Sequence, residues 1–181
     1  MSTKDLLNVL SRFVKDMNSS NSGLHKEETF KKYHDQYPDR KGPFLKTLVY
    51  VNDNLMPFNV TGSSVSKFKS DKKKQAKKIK VDGYKDGKTS GLALFKLLND
   101  LHDCNISGDN AKQAIIDFMK EYSEHEDLIL NIIDKDIKIR YTSRSINKVA
   151  DGLIPLFQVS LGEKYDKSTK KYLDKKYDNG W

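Results

Sequence analysis

Residues 107–133 read SGDNAKQAIIDFMKEYSEHEDLILNII. Ala111, Ala114, Ile115, Phe118 and Tyr122 fall three or four positions apart, so a helix gathers them on one face, whereas a strand would scatter them over two. Ser107 stands where an N-cap is needed. Ser123 followed by Glu126 has the spacing of a capping box, which would open another helix through Leu128–Ile133. The same period extends outward in both directions. Leu92, Phe95, Leu98 and Leu101 predict a helix behind Thr89 or Ser90, and Ile146 and Val149 predict one opened by Thr142 or Ser143 and ended by Gly152. Upstream, Leu6, Leu7, Leu10, Phe13, Val14 and Met17 follow Ser2 or Thr3 as a cap. After the break NSSNSG (18–23), Leu24, Phe30, Tyr33 and Tyr37 mark a second helix, stopped by Pro38, and Phe44, Leu45, Leu48, Val49 and Val51 a short third. Strand-like alternation is scarce, FQVSL (157–161) being the best candidate. The expected fold is all-α: a single domain of about six or seven helices with little or no strand. A long, flexible, lysine-rich loop over 61–90 has too few apolar residues to pack against anything.

A chain of 181 residues can bury a real core. No apolar run is long enough to cross a bilayer and no signal segment opens the chain, so a cytoplasmic protein without membrane contact is expected. The lone Cys104 allows no internal disulfide and is expected to be a small buried hydrophobe. His25, His34, His102 and His125 lie far apart, never at the i, i+4 spacing of a helical metal site, so no metal is expected. Neither a G-x-x-x-x-G-K-S/T phosphate loop nor G-x-G-x-x-G is present.

The net charge of +8 points to an anionic partner, with nucleic acid first. Between Lys67 and Lys88 ten lysines stand against three aspartates. Lys67, Lys69, Lys72, Lys73, Lys74, Lys77 and Lys78 would attract phosphates without needing a fixed geometry. Two helix starts suit anions better. Lys138-Ile139-Arg140-Tyr141-Thr142-Ser143-Arg144-Ser145 brings three cations and three Ser/Thr hydroxyls to a predicted N-terminus, and Ser107-Gly108-Asp109-Asn110 opens another with a small residue. On local grounds either is also readable as no more than a well-capped helix.

Residues 134–161, DKDIKIRYTSRSINKVADGLIPLFQVSL, resemble the region just ahead of the adenylation domain in ATP-dependent DNA ligases of the T-even bacteriophage type. The shared features are a basic, aspartate-containing segment, a small-residue turn, then Ile146-Asn147-Lys148-Val149 and Gly152-Leu153-Ile154-Pro155. Ser107-Gly108-Asp109-Asn110-Ala111 looks like the family's Thr/Ser-Gly-Asn-Ala opening with Asp109 extra or substituted, and FLKTLVYVNDNLMPFNV (44–60) is similar to an early stretch leading to a DNA-facing loop. The resemblance spans roughly 44–181. It implies a helical, monomeric domain over 1–175 that binds nicked duplex DNA through the backbone and minor groove in replication, repair or recombination. Residues 176–181 would start a linker toward an absent adenylation domain. Lys138, Arg140, Arg144 and Lys148 would then touch phosphates, and Thr142, Ser143 and Ser145 would add hydroxyls and N–H groups. Asn147 matches the family's asparagine, and Ser107, Gly108 and Asn110 would form a second backbone contact. No cofactor is expected in this chain; ATP and Mg²⁺ would serve the parent enzyme.

Lys80-Val81-Asp82-Gly83 matches the Lys-x-Asp-Gly pattern of lysine nucleophiles in nucleotidyltransferases. It precedes the family segment rather than following it, and its neighbours are lysines and glycines instead of a buried apolar strand. A neutral lysine nucleophile needs a desolvated or cation-flanked pocket, which this context lacks. The competing readings are a minimal nucleotidyltransferase using Lys80, a stand-alone basic helical nucleic-acid-binding protein, and a helical interaction domain whose charge serves solubility.

Overall fold

The computed structural model describes residues 1–71, 83–87 and 92–156. These form eight α-helices: α1 (Thr3–Asn18), α2 (Gly23–Gln36), α3 (Pro43–Asn52), α4 (Gly62–Ser70), α5 (Ala93–His102), α6 (Gly108–Glu121), α7 (Glu126–Ile133) and α8 (Ser143–Val149). No β-strand occurs among the described residues. The strand candidate 157–161, the linker 176–181 and the caps Thr89 and Ser90 lie outside them.

Helix α1 packs on α2 and α3, α2 on α8, α4 on α6 and α7, and α6 on α5 and α7. One apolar core joins them all. Its aromatic centre sets Phe13 edge-on to Phe30, Tyr33 and Phe44, at centroid distances of 5.1–6.2 Å. Truncating one of these fully buried rings should cost about 3–5 kcal/mol. Tyr33 donates to Asp16 at 2.9 Å, and burial with that bond pushes its phenol up to about 12. Of the two caps expected, Ser2 or Thr3, it is Ser2 that caps α1, in a capping box with Asp5, and Ser22 caps α2.

Several expectations are corrected. Residues 62–70 are a helix rather than loop: Thr61 caps it in a capping box, and Val65 and Phe68, three positions apart, are buried against α6 and α7. Farther along the supposed loop, Tyr84 is buried and donates to Asp100 at 3.0 Å. Asp86 accepts from the N–H and hydroxyl of Thr3 and from Ala93 N–H (2.8 Å), so one carboxylate caps both α1 and α5. Ser123 opens a 3₁₀ turn (Ser123–His125) without a side-chain capping bond, and Ser107 makes none at α6. Leu24, placed on the apolar face of α2 by its spacing, is exposed on the first turn. Cys104 is exposed rather than buried, in a left-handed turn (φ 57°) that carries its side chain off the end of α5. No helix is long and apolar enough to cross a membrane.

Candidate nucleic-acid interface

Past α7 the chain alternates: Ile137 and Ile139 are buried, while Lys138 and Arg140 between and after them are exposed. Lys135, Lys138 and Arg140 all hold left-handed backbone (φ 52–59°), a conformation costing non-glycine residues roughly 1–2 kcal/mol each. One local and two tertiary bonds hold the backbone at 138–139. Lys138 N–H donates to Asp136 Oδ1 (2.9 Å), Asn18 Nδ2 donates to Lys138 C=O (3.0 Å), and the buried Lys26 ammonium donates to Ile139 C=O (2.5 Å). The Lys138 ammonium lies 2.6 Å from Asp136 Oδ2, and its hydrogen bonds hold that carboxyl below the usual range. Both side chains are exposed, so this pair contributes at most about 1 kcal/mol, and a phosphate can displace the aspartate.

Of the two caps expected, Thr142 or Ser143, it is Thr142 that caps α8, accepting from Ser145 N–H at 3.2 Å. The helix is only seven residues long and that N–H is already taken, so the site rests on side-chain cations more than on a helix end. Arg144 and Lys148 are exposed on α8. Ser143 donates to Asn52 Oδ1 at 3.1 Å. Asn147 forms a two-bond clip with the Ile154 backbone, 2.8 Å each way, so its amide positions the chain after α8 and is not turned to solvent.

The basic strip faces the α1–α2 turn across two adjoining clefts. One, of about 340 Å³, runs from Asn21 and Lys26 to Arg140, Ser145 and Lys148; the other, of about 510 Å³, lies between Asn18, Asn21, Lys138 and Arg140. Asn18, Asn21 and Lys26 are the residues that sequence reading missed. NSSNSG reads as a helix breaker, and nothing local signals that it opposes residues more than a hundred positions away. Tyr141 lines the first cleft and packs on Phe30 at 5.6 Å. Burial, with Glu27 adding, raises its phenol pKa, and its buried hydroxyl has no hydrogen-bond partner among the described residues.

Ser107, Gly108 and Asn110 are exposed at the start of α6. Gly108 adopts φ 57°, and open space surrounds the position a Cβ would take, so glycine serves the turn and not a close approach. The loop 53–60 links this region to that of the strip: Lys135 Nζ donates to the carbonyls of Asp53 and Met56, and Asn59 Nδ2 donates to Cys104 Sγ at 3.3 Å. On α4, Lys67 is exposed and Lys69 pairs with Glu126 at 2.7 Å. Lys72, Lys73, Lys74, Lys77, Lys78 and Lys80 lie outside the described residues. Among those described, no three His, Cys, Asp or Glu side chains converge as metal ligands.

No protein-family profile and no curated protein sequence matches this chain. Solved structures share its fold, among them the following two. "Pmar-Lig_Pre." superposes with a TM-score of 0.54 at 18% identity over 78% of this chain, and "Pmar-Lig_PreS3" with 0.55 at 20% identity over 82%. This chain spans 29% and 32% of their respective lengths.

Proposed function

We propose that this chain is the non-catalytic DNA-binding domain of an ATP-dependent DNA ligase, holding nicked duplex for a nucleotidyltransferase domain elsewhere in the parent protein. The observation that carries the reading is the strip 138–148. Lys138, Arg140, Arg144 and Lys148 stand exposed, tertiary bonds hold the backbone at 138–139, and Lys138, Arg140 and Lys148 border clefts that also carry amides, hydroxyls and the carboxylates of Glu27 and Asp136. Fixed cations with neutral donors between them suit a row of phosphates, which position a duplex without reading its sequence. The names of both structural neighbours contain "Lig", which we read as ligase, and this supports the same assignment. ATP and Mg²⁺ would belong to the parent's other domains. Tethering would raise the effective concentration of those domains at the nick.

The test compares charge reversals. Each phosphate neutralised contributes roughly 0.7 log units to affinity at 0.15 M salt, so losing two weakens binding roughly 30-fold or more. Arg140→Glu with Arg144→Glu should do so on nicked duplex in an anisotropy titration. Lys73→Glu with Lys74→Glu, outside the strip, should do much less. Equal losses from the two double variants would reject a localised site in favour of diffuse attraction.

A further inference from the structure

Among the exposed large apolar side chains, Leu55 stands 69% exposed in the turn between α3 and α4. A lone exposed leucine is ordinary. Leu55 differs in how firmly its turn is held. Its N–H donates to Asp53 Oδ1 (2.9 Å), Met56 N–H donates to Asp53 C=O (3.2 Å), and the Lys135 ammonium bonds both Asp53 and Met56 carbonyls. That ammonium also lies 5.1 Å from the centroid of the Phe58 ring. Asn52, the last residue of α3, accepts from Ser143 at the start of α8, the neighbour of Arg144 in the chain. A mostly exposed apolar side chain thus sits on a firmly held turn, three residues from the Asn52 that is bonded to the start of α8.

We infer that Leu55 is an apolar contact to the groove wall of duplex DNA, set beside the cations that hold its phosphates. The inference rests on the DNA-binding reading. Single and double strands both offer phosphates, but only a duplex presents a sugar-lined groove against which an apolar side chain can be buried. Leu55 would therefore favour duplex over single strand, and its contribution would not depend on counterion release.

The experiment titrates the full chain and its Leu55→Ser variant with duplex and single-stranded DNA of one length at several salt concentrations. Leu55→Ser should weaken duplex binding roughly ten-fold, the scale of burying most of a leucine, and single-strand binding less than about two-fold. The salt slope should stay unchanged, and so should the thermal melt, because the side chain is mostly exposed. Equal affinities of the two proteins for duplex would overturn the inference while leaving the DNA-binding reading intact. So would equal losses on both strand forms, or a salt slope shallower by about one phosphate, since Leu55 would then act by placing a cation. Failure of the unmodified chain to bind duplex at all would remove the reading beneath it.

Discussion

Asp86→Ala should destabilise the domain by roughly 2 kcal/mol. The carboxylate takes the first backbone N–H of α1, at 2.7 Å from Thr3, and of α5, at 2.8 Å from Ala93, besides the Thr3 hydroxyl. Removing a helix cap costs about 1 kcal/mol; α5 loses the acceptor of its first N–H, and α1, which keeps its Ser2 cap, loses the acceptor of its first N–H and of the Thr3 hydroxyl. In a domain of this size that lowers the melting temperature by about 4–8 °C, readable as helix circular dichroism at neutral pH. Asp86→Asn keeps one acceptor oxygen and should fall between. Burial alone would raise the Asp86 carboxyl, but the bonds from Ala93 and Thr3 outweigh it and hold its pKa below the ordinary 3.8. A depressed carboxylate stabilises above its unfolded pKa and loses that contribution as pH falls through the folded one. The gap between wild type and Asp86→Ala should therefore be constant above about pH 5 and close below about pH 4, followed as denaturant midpoints. A melting temperature within about 1 °C of wild type, or a gap that widens in acid, would refute the double-cap account.

Two further outcomes follow from buried polar groups. His125 sits between Ser11 Oγ (3.0 Å from Nδ1) and Asn8 Oδ1 (3.1 Å from Nε2), which the neutral ring with its proton on Nε2 satisfies, and burial lowers its pKa despite Glu124. The unfolded chain takes up that proton first, so stability should be full above about pH 6.5 and fall as pH drops through the folded value; His125→Gln should flatten this dependence in urea titrations. Tyr141→Phe removes a buried hydroxyl that lacks a partner among the described residues and should raise stability by about 1 kcal/mol, some 2–4 °C in a melt. A lower melting temperature would mean that the hydroxyl is satisfied after all.

Helix α1 is legible because a long apolar stripe, Leu6–Met17, follows a cap at Ser2 or Thr3, and the short α8 because Thr142 or Ser143 precedes Ile146 and Val149. Helix α4 was hidden because SSVSKFKS carries only Val65 and Phe68 on its buried face, at the edge of a lysine run, and what decides it is the cover supplied by α6 and α7. Asp86 was equally unreadable, since its partner Thr3 lies at the other end of the domain. At the site, Lys138 and Arg140 could be chosen locally because they alternate with isoleucines that must face inward. The spent amide of Asn147 could not, because its clip to Ile154 closes only once the turn after α8 is formed. Asn18, Asn21 and Lys26 join the site by tertiary packing alone.

The most direct test of the DNA-binding assignment is the salt dependence of affinity for nicked duplex. If about six phosphates are neutralised, log affinity should fall against log salt with a slope near −5, with single-stranded RNA bound more weakly than the duplex. Absence of binding even near 50 mM salt, or a slope near zero, would contradict it and leave this helical fold without a nucleic-acid partner.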